Sequence, residues 1–132
     1  MRFTDWHARL IALIEERKPA PFVWGVNDCC LWPADAVLAM TGHDLAADLR
    51  GTYSTARGAA SVLRYLGGLP EAIGRGGREI PPLCAATGDV GIVTDGERLV
   101  GAVCIGENWL VVAGRGLGLI PLMSARRAWR IA

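Results

Sequence analysis

The chain has 132 residues, 52% of them hydrophobic, and a net charge of +1. That length fits one domain over residues 1–132, with apolar material enough to bury a core without disulfide or metal staples. The near-neutral balance excludes the strong basic excess expected of a nucleic-acid-binding protein, and no apolar run is long enough to insert into a membrane.

The first element reads as a helix. Thr4 or Asp5 can cap it, Trp6, Leu10, Ile11, Leu13 and Ile14 recur at helical spacing, and Pro19 and Pro21 stop it. No apolar signal-peptide core precedes it, so the chain is expected to be made and folded in the cytoplasm. A loop over 22–28 leads to a second helix, expected from about Cys29 to Met40, with Asp28 as its N-cap and Pro33 making its opening turn irregular. After a polar connection, a third helix is expected over 54–66, burying Ala59, Ala60, Val62, Leu63 and Leu66. Residues 69–77 can add one short helical turn. From Ile80 onward the pattern changes to short apolar runs between turn residues. Strands are expected at 89–94, 99–105, 109–113, 117–122 and 128–131, with turns at Asp95-Gly96 and Glu107-Asn108. Helices followed by a meander of strands define an α+β class, with N-terminal helices packed on a C-terminal antiparallel sheet.

The cysteines are Cys29, Cys30, Cys84 and Cys104. No CxxC pair occurs, so no zinc or iron–sulfur site is expected; no other cofactor is expected either. Adjacent Cys29 and Cys30 are poorly placed to bridge each other, and all four read as free thiols, Cys84 and Cys104 within or near the core. Cys29 stands at the head of a helix, where the positive end of the helix dipole favours thiolate and lowers the thiol pKa. It is therefore a candidate nucleophile, with a buried structural cysteine as the alternative. The glycine-rich stretch at 114–118 is followed by no helix and reads as a strand connection rather than a phosphate loop. Arg126, Arg127 and Arg130 read as a solvated face, and the five tryptophans as core or interface anchors.

Trp24-Gly25, then Asp28-Cys29 opening a helix, then Gly88-Asp89-Val90 entering the first long strand, together resemble the NlpC-type papain-like cell-wall cysteine peptidases. Val103-Cys104-Ile105-Gly106 and 109–113 continue the likeness, which runs from about Phe22 to Ala113. The resemblance implies a papain-like fold, Cys29 as nucleophile or its relic, Asp28 as helix cap, and Trp24 and Gly25 on the substrate side. It also implies a histidine near position 100 or 101, where this chain has Val100 and Gly101. The two histidines, His7 and His43, match no family position. His43 is the one left as a candidate base.

Within that superfamily the chain is similar to small proteins encoded in phage tail gene clusters. The likeness rests on Asn27-Asp28-Cys29-Cys30, on Ala47-Asp48-Leu49-Arg50-Gly51 and on Ala128-Trp129-Arg130-Ile131. It implies a tail-tip or baseplate component of the virion whose partners are other tail-tip proteins and which also meets peptidoglycan. Two expectations stand side by side: a structural component on a degenerate peptidase scaffold, and an active amidohydrolase cleaving wall stem peptides through Cys29. A thiol hydrolase or binding module unrelated to phage is the third.

Overall fold

A computed structural model describes all residues, 1–132. The order is α1 (Trp6–Arg17), α2 (Leu31–Thr41), α3 (Ala56–Tyr65), α4 (Leu69–Gly74), β1 (Arg78–Ile80), β2 (Val90–Asp95), β3 (Arg98–Cys104), β4 (Asn108–Ala113), β5 (Gly116–Pro121) and β6 (Ala125–Arg130). The α+β expectation holds. Thr55 caps α3 by accepting the Gly58 N–H, and Gly42 ends α2 in the left-handed conformation that suits a residue without a Cβ.

The strands form one antiparallel sheet in the order β1-β6-β2-β3-β4-β5. Strands β2 to β5 make the expected meander. β6 then returns across the sheet to lie between β2 and β1. The short strand β1 was not expected, and β6 begins at Ala125 rather than 128. Its first residues include Arg126 and Arg127, which carry no apolar alternation to announce a strand.

The side-chain period of two divides the sheet residues between two layers. Val90 and Ile92 of β2, Val103 of β3, and Leu110 and Val112 of β4 face the helices. Val93, Val100, Ala102, Cys104, Trp109 and Val111 form the opposite cluster, partly covered by Ala85, Leu122 and Ala125. α2 is apolar nearly all round because it is the central helix: Leu31, Trp32, Ala36, Val37 and Met40 are buried, and Trp32 donates its indole N–H to the Leu110 carbonyl at 2.9 Å. α3 lies at the margin. Only Ala59 of its expected face is fully buried, and Ala60 is exposed.

Two buried carboxylates tie distant segments of the chain together. Asp35 of α2 is 2.8 Å from Arg17 and 2.6 Å from Arg50. The Arg17 contact is an ion pair by distance only, since its N–H does not align with the Asp35 Oδ2 atom; the same Nη1 donates to Asn27 Oδ1 at 3.1 Å. Asp89 is fully buried and accepts from Arg2, Arg130 and the backbone N–H groups of Ala86 and Ile131. The segments at 47–51 and 128–131 thus serve the fold: Arg50 links Asp35 to Asp44, and Arg130 meets Asp89.

Candidate functional site

The site begins in the loop that delivers Cys29. Val23 and Asn27 exchange backbone hydrogen bonds, and the Asn27 amide donates to the Ala20 and Pro21 carbonyls. Gly25 adopts φ +80°, and a side chain there would overlap the Tyr53 carbonyl oxygen. This rigid turn aims Asp28 inward. Its Oδ1 accepts the N–H groups of Cys30 at 3.0 Å and Leu31 at 2.9 Å, and its carbonyl accepts the Trp32 N–H at 3.0 Å. Its Oδ2 accepts the Gly25 N–H at 2.9 Å and the Tyr53 hydroxyl at 2.7 Å. Asp28 thus caps the turn that leads into α2, wholly buried and with both oxygens occupied.

Cys29 follows immediately but does not become an activated thiol. It is only 8% exposed and belongs to the cluster containing Val100, Ala102 and Trp109. Burial pushes its pKa up to about 11, and the adjacent Asp28 charge adds to the rise. Arg98 and the backbone N–H groups of Cys29 and Gly101 oppose it without prevailing. The expectation of a thiol lowered by the helix terminus is therefore corrected: desolvation outweighs the dipole. At neutral pH Cys29 is therefore held as the thiol. Cys30 is pushed to about 12, again first by burial and then by Asp28. Cys84 is exposed, contrary to its expected place near the core, and Cys104 is buried.

No base faces Cys29. Val100 is buried in the same apolar cluster. At Gly101, a Cβ would overlap the Cys29 carbonyl oxygen, lie 2.6 Å from Ile73 Cδ1 and lie 2.8 Å from Pro33 Cγ. β3 therefore packs against the start of α2 more closely than any side chain allows. His43 is exposed and follows the far end of α2, whose eleven residues put it roughly 16 Å or more from Cys29. His7 is exposed on α1. Asp28 is adjacent, but its four donors leave it no free lone pair directed at the thiol.

A cleft of 380 Å³ is lined by Phe22, Trp24, Asp95, Arg98, Val100 and Val112, among others; Cys29 does not line it, and Val100, from the same apolar cluster, stands between them. Trp24 forms its wall, packed edge-on against Phe22 with ring centroids 4.7 Å apart. Gly25 turns away toward Tyr53 and does not line it. Tyr53 and Arg98 bear on the site without having been singled out in the sequence. Tyr53 lies 25 residues from the Asp28 it binds, and no local pattern marks it. Arg98 closes the two-residue turn after Asp95. No group of three His, Cys, Asp or Glu side chains is arranged to hold a metal ion, and no helix is long and apolar enough to cross a membrane.

The fold is similar to the crystal structure of the NlpC/p60 domain of the peptidoglycan hydrolase SagA. The TM-score is 0.61 at 16% identity, over 94% of this chain and 97% of that one. At that identity the likeness establishes a shared papain-like scaffold. No curated protein matches the sequence. A profile described as a domain of unknown function, DUF6950, matches residues 1–131, and the chain belongs to that family.

Proposed function

We propose that this protein is a non-catalytic, papain-like component of a phage or prophage tail tip, which works by docking on neighbouring tail proteins. The observation that carries the non-catalytic part is the packing at the two positions where the resemblance implies a histidine: Val100 lies in the apolar cluster with Cys29, and Gly101 packs on the Cys29 carbonyl. A buried, protonated cysteine with no base in reach cannot start acyl transfer in the usual way. The tail-tip part is supported by the likeness of the segments at 27–30, 47–51 and 128–131 to proteins of tail gene clusters. Apolar surface supports docking: a groove of 560 Å³ between α1 and β4–β5 carries Ile11 at 46% exposure and Leu119 at 62%.

The second reading is an active peptidoglycan amidohydrolase. The SagA-like scaffold and the position of Cys29 at the head of α2 favour it. One experiment separates the two. Particles are raised from the encoding element with the wild-type gene, with a deletion and with Cys29→Ala, then scored for tail assembly, protein content and infectivity. The docking reading expects the protein in the particle, defective tails on deletion, and intact, infectious particles with Cys29→Ala. Assembled particles that lose infectivity through Cys29→Ala would favour the enzyme. Absence of the protein from particles would overturn the tail assignment.

A further inference from the structure

The largest cavity, 950 Å³, does not adjoin Cys29. It lies where the chain approaches the start of β2, and its walls include Arg2, Trp6, Arg78, Thr87, Asp89 and Arg130. Its size is within the range of small-molecule sites. Three guanidinium groups and the Met1 amino group face it against two carboxylates, those of Asp89 and the Ala132 terminus, an excess of two positive charges.

Two of the three arginines are fixed. Arg2 Nη2 lies 3.3 Å from Asp89 Oδ1, and Arg2 Nε donates to the Ile131 carbonyl at 2.8 Å. The Arg2 guanidinium also stacks on Trp6, 4.2 Å from the ring centroid. Arg130 Nη2 donates to Asp89 Oδ2 at 3.1 Å and to the Cys84 carbonyl at 2.8 Å, leaving its Nη1 without a protein partner. Burial holds the Arg2 guanidinium below its ordinary pKa, Asp89 opposes this, and the Arg130 charge adds to it. Asp89 thus positions two arginines but neutralises only one of them.

Arg78 is the feature that the fold does not explain. It is exposed, makes no ion pair or hydrogen bond with its side chain, and sits directly opposite Arg130 in the antiparallel β1–β6 pair. Directly opposed residues project from the same face, so two like charges are held side by side, an arrangement that destabilises a sheet. Glu79, the next residue, shows what the same strands do when they stabilise themselves: it pairs with Arg127 at 2.7 Å on the other face. Local rules of this kind are broken at functional or strained sites.

We infer that Arg2, Arg78 and Arg130 form a binding site for a dianionic phosphoryl group, carried on a small molecule that occupies this cavity. Two charges on the ligand match the excess of two on the protein. Arg78 and the free Nη1 of Arg130 supply planar donors of the kind that bind phosphate oxygens in pairs. Asp89 holds the other arginines in place without needing to touch the ligand.

The test uses the whole chain with inorganic phosphate as probe and acetate as the monoanion control. Binding is followed by backbone amide shifts and by the thermal unfolding midpoint. Phosphate should give saturable shifts around 77–78, 87–89 and 130–131 and raise the midpoint, and acetate should do so much less. Arg78→Gln should weaken phosphate binding about tenfold or more, while in phosphate-free buffer it unfolds at the same or a higher temperature than wild type, since a like-charge pair is relieved. Arg126→Gln, at the other end of β6, should bind as wild type. No saturable response to phosphate, an Arg78→Gln variant that binds normally, or equal loss in both variants would each overturn the site. So would a lower unfolding temperature of phosphate-free Arg78→Gln, which would make Arg78 part of the fold's own ion network.

Discussion

At the scale of single residues, two effects compete at Cys29. The helix start favours thiolate, and burial favours thiol; burial wins because Val100 and the rest of the apolar cluster enclose the side chain. Iodoacetamide at mildly alkaline pH should therefore label the exposed Cys84 first and leave Cys29, Cys30 and Cys104 unmodified in the folded chain, read by peptide mass spectrometry. Labelling of Cys29 as fast as Cys84 would contradict this. The same thiols set a pH dependence. Cys29 stands at about 11 in the folded chain against 9.0 as its ordinary value, so the folded state keeps the proton longer. That contribution is complete below pH 9 and is lost as pH rises from 9 toward 11. Cys29→Ala should make the alkaline fall in unfolding temperature shallower, and Cys30, shifted the same way, should keep it from vanishing. Asp28 was readable as a helix cap because aspartate before a helix has a local meaning. The fate of Cys29 was not readable, because it is decided by Val100 and Gly101, some seventy residues away.

At the scale of elements, the approach of β3 to α2 is the feature most sensitive to change. Gly101→Ala should cost about 1–3 kcal/mol of stability by urea unfolding, because the added methyl group must displace the Cys29 carbonyl or the strand. Tyr53→Phe should cost about 1.5–3 kcal/mol through loss of the hydroxyl bond to the buried Asp28 carboxylate, measured the same way. A value near zero for either would mean that the site relaxes more freely than its packing implies. The elements themselves were largely legible. The stripe of α1, the apolar run of α2 and the alternation of β2 to β4 follow the periods of helix and strand. β1 was missed because it is three residues long, two of them charged, and exists only by pairing with β6. The exposed side of α3 was misjudged at Ala60, where alanine reads equally well on either face.

At the scale of the whole molecule, the chain has the layers of a papain-like fold, and apolar packing encloses Cys29 at the head of its central helix. The central helix, its aspartate cap and the cysteine are present. β3 brings Gly101 against the helix and Val100 into the apolar cluster with Cys29, the two positions where the resemblance implies a histidine. The direct measurement of the proposed non-catalytic role is digestion of purified peptidoglycan, with wild type and Cys29→Ala side by side and new amino termini read by mass spectrometry. The non-catalytic reading expects no new termini with either protein. New termini that appear with wild type and vanish with Cys29→Ala would contradict it, and would require a base that reaches Cys29 from outside the arrangement described above.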